Sequence, residues 1–252
     1  MNDYGFVDPY IDPTTGLLRN KVGATTLDEL KKAEGELVSI AAVKLIENPP
    51  RNRMADLNEL REIHRRLFGA VYSWAGEIRT VEIRKLAEGS EYFLPSPMIP
   101  TGIEYSMNEL RKDGYLKNLD KDEFLDRLVR NYDNYNYVHP FREGNGRTQR
   151  MLWTLVCHEA GYDIDWRLVS KQDNDEGSRL AAEQRDYSIL RRAFDVAVKP
   201  CDPDEPILVE HANVGHLKPI AKLLPGGGVY VHAHTKSDGT EVAAHFRSRP
   251  SR

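Results

Sequence analysis

The run His139-Pro140-Phe141-Arg142-Glu143-Gly144-Asn145-Gly146-Arg147-Thr148-Gln149-Arg150 gathers an imidazole, a carboxylate, a glycine-rich turn and two spaced guanidinium groups in twelve residues. Pro140 and Gly144 deny a continuous helix. Gly144, Asn145 and Gly146 let successive backbone N–H groups turn together toward an anion without steric obstruction. A helix starting at this point adds its own unpaired N–H groups and the positive end of its dipole, which together favour phosphate. Arg147 and Arg150 lie one turn apart on such a helix, so both guanidinium groups can grip phosphate oxygens from one side. Glu143 offers the hard carboxylate oxygen that Mg2+ takes when it bridges nucleotide phosphates. His139, with an ordinary pKa of about 6.5, can take the proton that an attacking alcohol must lose.

The elements expected to hold this segment are mainly helical. Apolar residues recur at three- and four-residue steps from Thr26, where Thr26 and Glu29 match a capping box, until Pro49-Pro50. A second helix is expected from Asp56 to Phe68, with Leu57, Leu60, His64 and Leu67 on one face and His64 as a packing residue. Further helices are expected over about 97–112, 121–135, from Gly146 to Gly161, and 178–198. Residues 79–83 alternate like a strand, and 91–94 supply an antiparallel return, so a small hairpin is predicted amid the helices. Residues 1–23 read as an ordered, turn-rich arm.

This gives a helical domain over 1–199. From 200 to 252 the reading is a proline-marked linker and a small C-terminal extension, whose segments 229–234 and 241–246 flank Asp238-Gly239 as a second hairpin. A hydrophobic share of 40% can build a real core, and a net charge of −4 argues against a protein that holds nucleic acid through a basic surface. Cys157 and Cys201 match neither a zinc site nor a disulfide framework, which points to a reducing cytosol. No secretory leader or membrane span is read from the sequence, and composition is silent on delivery into another cell.

Residues 139–150 match the signature His-x-Phe-x-Asp/Glu-Gly-Asn-Gly-Arg-x-x-Arg at every fixed position, and the chain resembles the Fic family. The segments Leu67-Phe68-Gly69-Ala70-Val71-Tyr72-Ser73-Trp74-Ala75-Gly76-Glu77-Ile78-Arg79 and Asp8-Pro9-Tyr10-Ile11-Asp12-Pro13-Thr14-Thr15-Gly16 extend the likeness over roughly residues 4–199, the latter toward toxin-like members. The resemblance implies a Fic-type helical bundle with a hairpin flap. Its activity would be transfer of AMP from Mg-ATP to a Ser, Thr or Tyr hydroxyl of a target protein, as a bacterial toxin or effector. It makes His139 the base, Phe141 a core anchor and Glu143 the Mg2+ ligand. Gly144, Asn145 and Gly146 become the phosphate hole, and Arg147 and Arg150 neutralise the β- and γ-phosphates. Phe93 or Leu94 on the flap would clamp the target. Where the phosphorylating Doc branch has a Lys this chain has Gly146, which favours the AMP-transfer pose. Transfer of UMP or a phosphoryl group stays open, as does a non-catalytic module that binds nucleotide or an antitoxin.

Family members that restrain themselves carry Ser/Thr-x-x-x-Glu-Gly/Asn. Glu34-Gly35 has Leu30 at the required place, and Glu47-Asn48, Glu88-Gly89 and Glu176-Gly177 also fail. The resemblance then implies a separate small antitoxin that sets its own Glu against Arg150. The alternation of His232, His234 and His245 invites a metal reading, but hairpin histidines without neighbouring Cys are read as unliganded. The tyrosines of 131–137 and Trp74, Trp153 and Trp166 are read as core.

Overall fold

The computed structural model describes residues 7–84 and 92–214, together with the backbone of 229–231, 234–235, 241–242 and 245–247. The chain divides into two compact units, Met1–Gly215 and His216–Arg252. Seven α-helices are found among the described residues, all in the first unit: α1 Leu27–Glu47, α2 Leu57–Phe68, α3 Ile99–Lys112, α4 Lys121–Val138, α5 Asn145–Glu159, α6 Lys171–Gln184 and α7 Ser188–Ala197.

The helix starts follow local chemistry. Thr26 accepts from the Glu29 N–H while the Glu29 carboxylate accepts from the Thr26 N–H, the reciprocal box expected for α1. Asp56, Asp120 and Ser170 cap α2, α4 and α6 through side-chain oxygens. Removing one such cap costs about 1 kcal/mol.

Helix α5 is the pivot of the bundle. Met151 through Cys157 are all buried, so it is covered on every side, as a continuous apolar run dictates. Helix α2 packs on one flank of α5 and β1 (Tyr162–Ile164) on another, while α4 runs beside α3, α5, α6 and α7. Strand β1 pairs antiparallel with β2 (Val198–Pro200). Trp153, Trp166 and Tyr132 are core residues, and Trp166 donates its indole N–H to Thr154 at 3.1 Å.

The single helix expected over 178–198 is corrected to two. Arg185 adopts the left-handed conformation (φ 56°) that ends α6, and α7 restarts at Ser188. Apolar spacing runs through this break, so periodicity alone could not show it. The hairpin expected over 79–94 is reduced, among the described residues, to one antiparallel bridge between Arg84 and Tyr92 and a bond from the Phe93 N–H to the Ile83 carbonyl at 3.1 Å. Residues 85–91 lie outside the described residues. Past Pro200 the chain forms a short 3-10 helix, Val209–Ala212, and buries Ala212 and Val214 in the first unit.

In the second unit β3 (Val229–Val231) pairs antiparallel with β6 (His245–Arg247), and β4 (His234–Thr235) with β5 (Glu241–Val242). The turn expected at Asp238-Gly239 lies outside the described residues.

Candidate active site

The site is the break between α4 and α5. Pro140 cannot extend α4, and His139 closes the helix in the left-handed region at φ 46° and ψ 63°. A non-glycine residue held there costs about 1–3 kcal/mol, so its surroundings must over-determine it. They do. Arg79 Nε donates to the His139 carbonyl at 2.9 Å, and the Arg79 N–H donates to the Pro140 carbonyl at 2.9 Å. The ring of His139 is fixed as well: Nδ1 lies 2.9 Å from the Asn136 carbonyl, and Phe93 stacks flat on it with centroids 3.7 Å apart and planes 9° from parallel. A carbonyl only accepts, so Nδ1 carries the hydrogen, and in the neutral ring Nε2 holds the lone pair that can take a proton.

The loop is stapled from inside. Asn145 Oδ1 accepts from the Phe141 N–H at 2.8 Å, and its Nδ2 donates to the Phe141 carbonyl at 2.7 Å. The Asn145 side chain is therefore spent on shape, and its backbone N–H is what it offers an anion. Phe141 is fully buried and stacks on His64 at 3.9 Å.

His64 was expected only to pack. It is fully buried and bonded at both nitrogens: the Gly76 N–H donates to Nδ1 at 2.7 Å, so Nε2 carries the hydrogen and donates to the Glu143 carbonyl at 2.9 Å. Burial drives its pKa down to about 4, against the opposing pull of the Glu143 carbonyl. A neutral histidine thus pins the loop at Glu143.

Gly144 stands at the N-terminus of α5 with φ 81°. A Cβ there would lie 2.6 Å from the Phe68 ring and 3.2 Å from His64, so glycine is required twice over. No side chain caps this end of α5, which leaves its first N–H groups to an anion. Gly146 differs: a Cβ on it would meet nothing closer than Arg150 Nη1, at 3.8 Å. Its missing side chain keeps space beside Arg150 open.

The two arginines are held differently. Arg147 sits over the Phe68 ring at 4.6 Å, bonds Glu143 Oε1 at 3.2 Å and is paired with Glu34 of α1, whose other oxygen accepts from the Tyr72 hydroxyl. Arg150 has no ion pair among the described residues, and its buried Nε lacks a hydrogen-bond partner. Desolvation lowers its pKa, Tyr132 opposes that shift, and nearby Arg147 adds to it. A buried, underpaired guanidinium is a place where an anion is wanted.

Glu143 is half-exposed beside the loop, and among the described residues no group of three or more His, Cys, Asp or Glu side chains is placed to hold a metal ion. One carboxylate at the mouth of a phosphate cradle fits an ion that takes its remaining ligands from phosphate and water, the habit of Mg2+. Of the flap residues, Phe93 lies on His139, and Leu94 Cδ2 packs over Gly102 of α3. Sequence reasoning missed Arg79, His64 and Glu34. The first two fall inside helix and strand patterns, and the third fails the inhibitory spacing.

The helical bundle sets a fixed imidazole beside the uncapped start of a helix and a buried, underpaired guanidinium. The sequence profile of the Fic/DOC family matches residues 55–157. The probable protein adenylyltransferase Fic of Salmonella typhimurium is 31% identical over 195 residues, covering 76% of this chain and 92% of that protein, and its Escherichia coli counterpart is 29% identical over 198 residues, covering 79% and 96%. The protein adenylyltransferase VbhT of Bartonella schoenbuchensis is 36% identical over 169 residues, 67% of this chain; the matched part is 34% of VbhT's length. The crystal structure of the Bartonella tribocorum BepC protein with bound AMPPNP matches at a TM-score of 0.68 and 25% identity, covering 76% of this chain and 96% of that one. The chain belongs to the Fic/DOC family.

Proposed function

We propose that the chain is a protein adenylyltransferase, moving AMP from ATP to a hydroxyl side chain of another protein. The observation that carries this is the pairing of His139, held as the Nδ1–H tautomer, with the uncapped start of α5 and the underpaired Arg150. Relatives named adenylyltransferases at 29–36% identity and a related structure holding AMPPNP support it.

In the transfer, the target hydroxyl gives its proton to His139 Nε2 and its oxygen bonds to the α-phosphorus. The bond from that phosphorus to the bridging α–β oxygen breaks, and pyrophosphate leaves. The N–H groups at the start of α5 steady the phosphates, and Arg147 and Arg150 take up charge on the departing group. Glu143 would hold Mg2+, which would supply positive charge to the phosphates. Gly146 leaves the volume beside Arg150 to the nucleotide, which favours the AMP pose over a reversed one that delivers a phosphoryl group.

The target segment is assigned to the flap edge at 92–94, where Phe93 stacks on His139 and Leu94 follows it. Restraint is assigned to a separate small protein that supplies a glutamate to Arg150, because the two glutamates paired with Arg147 among the described residues are already engaged, Glu34 also by Tyr72 and Glu143 also by the Gly144 N–H. Such restraint suits a toxin.

Purified protein incubated with lysate and ATP labelled at either the α- or the γ-phosphate tests the activity. Label on protein from α-labelled ATP alone supports AMP transfer. Label from the γ-position supports phosphoryl transfer and contradicts it.

A further inference from the structure

Arg79 is an arginine with a fully buried side chain on the segment after α2, outside any strand. Its guanidinium donates to four backbone carbonyls. Two belong to the end of α4: Nε reaches His139 at 2.9 Å and Nη2 reaches Val138 at 3.4 Å. Two belong to the root of the flap, one on each side: Nη1 reaches Val81 at 2.8 Å, and Nη2 also bonds Leu94. The carboxylate nearest it, Glu82, is 3.4 Å away, 46% exposed and shared with the N–H and hydroxyl of Ser96.

A cation at a helix C-terminus satisfies carbonyls that the helix leaves unpaired, and a point charge would do that much. The distribution of these bonds asks for more. A planar fork with donors on several edges can hold two separate chain segments in one fixed relation, which an ammonium cannot. The segments joined are the one that ends in Phe93-Leu94 and the one that ends in His139. Phe93 then stacks on the His139 ring, so backbone and side chain are tied across the same gap.

We propose that Arg79 is a positioning residue for AMP transfer, holding the flap and His139 as one unit so that a hydroxyl registered on the flap meets the ring nitrogen that takes its proton. This rests on the function proposed above. With its side chain fully buried, Arg79 acts through the placement of His139 and of the segment ending at Leu94.

The test uses the full chain, α-labelled ATP and lysate protein, and reads three quantities: the initial rate at saturating Mg-ATP, the Mg-ATP concentration at half-saturation, and the melting temperature. Arg79→Lys keeps the charge and loses the fork. The expected result is a fall in saturated rate of about 100-fold, the scale set by a misplacement of roughly 1 Å, with half-saturation by Mg-ATP unmoved. Phe93→Leu, which leaves the Arg79 donors intact, should lower the same rate, and the double variant should be little worse than Arg79→Lys alone, since both act on one ring. Arg79→Lys with wild-type rate overturns the inference. So does a loss of Mg-ATP affinity and melting temperature in step with rate, which would make Arg79 a framework residue, and so do fully additive rate losses. His139→Ala in the same assay separates the two levels: if it retains wild-type transfer, the proposed function fails; if it is inactive while Arg79→Lys is unimpaired, the inference about Arg79 fails alone.

Discussion

His64 donates its Nε2 hydrogen to the carbonyl of Glu143 at 2.9 Å, joining α2 to the phosphate loop across 79 positions of sequence. The Gly76 N–H donates to Nδ1, so both bonds are held together only while the ring is neutral: a protonated ring would still donate from Nε2 but could no longer accept from Gly76.

A pH dependence of stability follows. The unfolded chain protonates His64 near pH 6.5, whereas burial holds the folded group to about 4. Between these values the unfolded state binds the extra proton, so stability falls as pH falls, by up to about 3 kcal/mol in total. Urea denaturation of wild type and His64→Phe at pH 7 and pH 5 checks this. The variant should lose about 1–3 kcal/mol at pH 7 for each polar group it orphans, and should lose less than wild type between the two pH values. An equal pH slope in both proteins would contradict the assignment.

Gly144 and Gly146 should respond oppositely. Gly144→Ala must force a Cβ against Phe68 at a positive φ, and is expected to cost at least about 1–3 kcal/mol and to weaken Mg-ATP binding. Gly146→Ala would meet only an ordinary contact with Arg150 Nη1 in the first turn of a helix and should gain up to about 1 kcal/mol. Gly146→Lys should fold as well as wild type yet lose AMP transfer, because its side chain enters the space beside Arg150. Thermal melts paired with α-label transfer distinguish these outcomes.

If Arg147 takes nucleotide phosphate as proposed, Glu34, which pairs with it, is a competitor for the same guanidinium. Glu34→Gln removes the carboxylate while keeping a hydrogen-bonding side chain for Tyr72, so affinity for Mg-ATP should rise, by about tenfold for each 1.4 kcal/mol released. Calorimetric titration reads this directly. Weaker binding in the variant would mean that Glu34 orients Arg147 for phosphate.

Much of the site was legible because its chemistry is contiguous. His139 through Arg150 lie in one run, and a glycine-rich turn before a helix reads as an anion cradle whatever surrounds it. Most helices were legible from spacing and caps, as Thr26 with Glu29 illustrates. What was hidden depended on distant partners. Arg79 looks like a polar strand residue until the carbonyls of Val138 and His139, 59 and 60 positions away, close around it. His64 sits at a helical core spacing that says nothing of Gly76 or Glu143. Glu34 fails the inhibitory pattern because Leu30 stands where Ser or Thr is required, yet α1 carries it to Arg147. The break at Arg185 left no mark because apolar spacing survives it.

On the proposed function, His139 and the cradle at the start of α5 together place AMP on a foreign hydroxyl. Mass spectrometry of proteins from cells expressing wild type or His139→Ala tests it most directly. Ser, Thr or Tyr residues are expected to gain the mass of AMP with wild type and not with His139→Ala. The same residues gaining only a phosphate, or gaining AMP equally with both proteins, would contradict it.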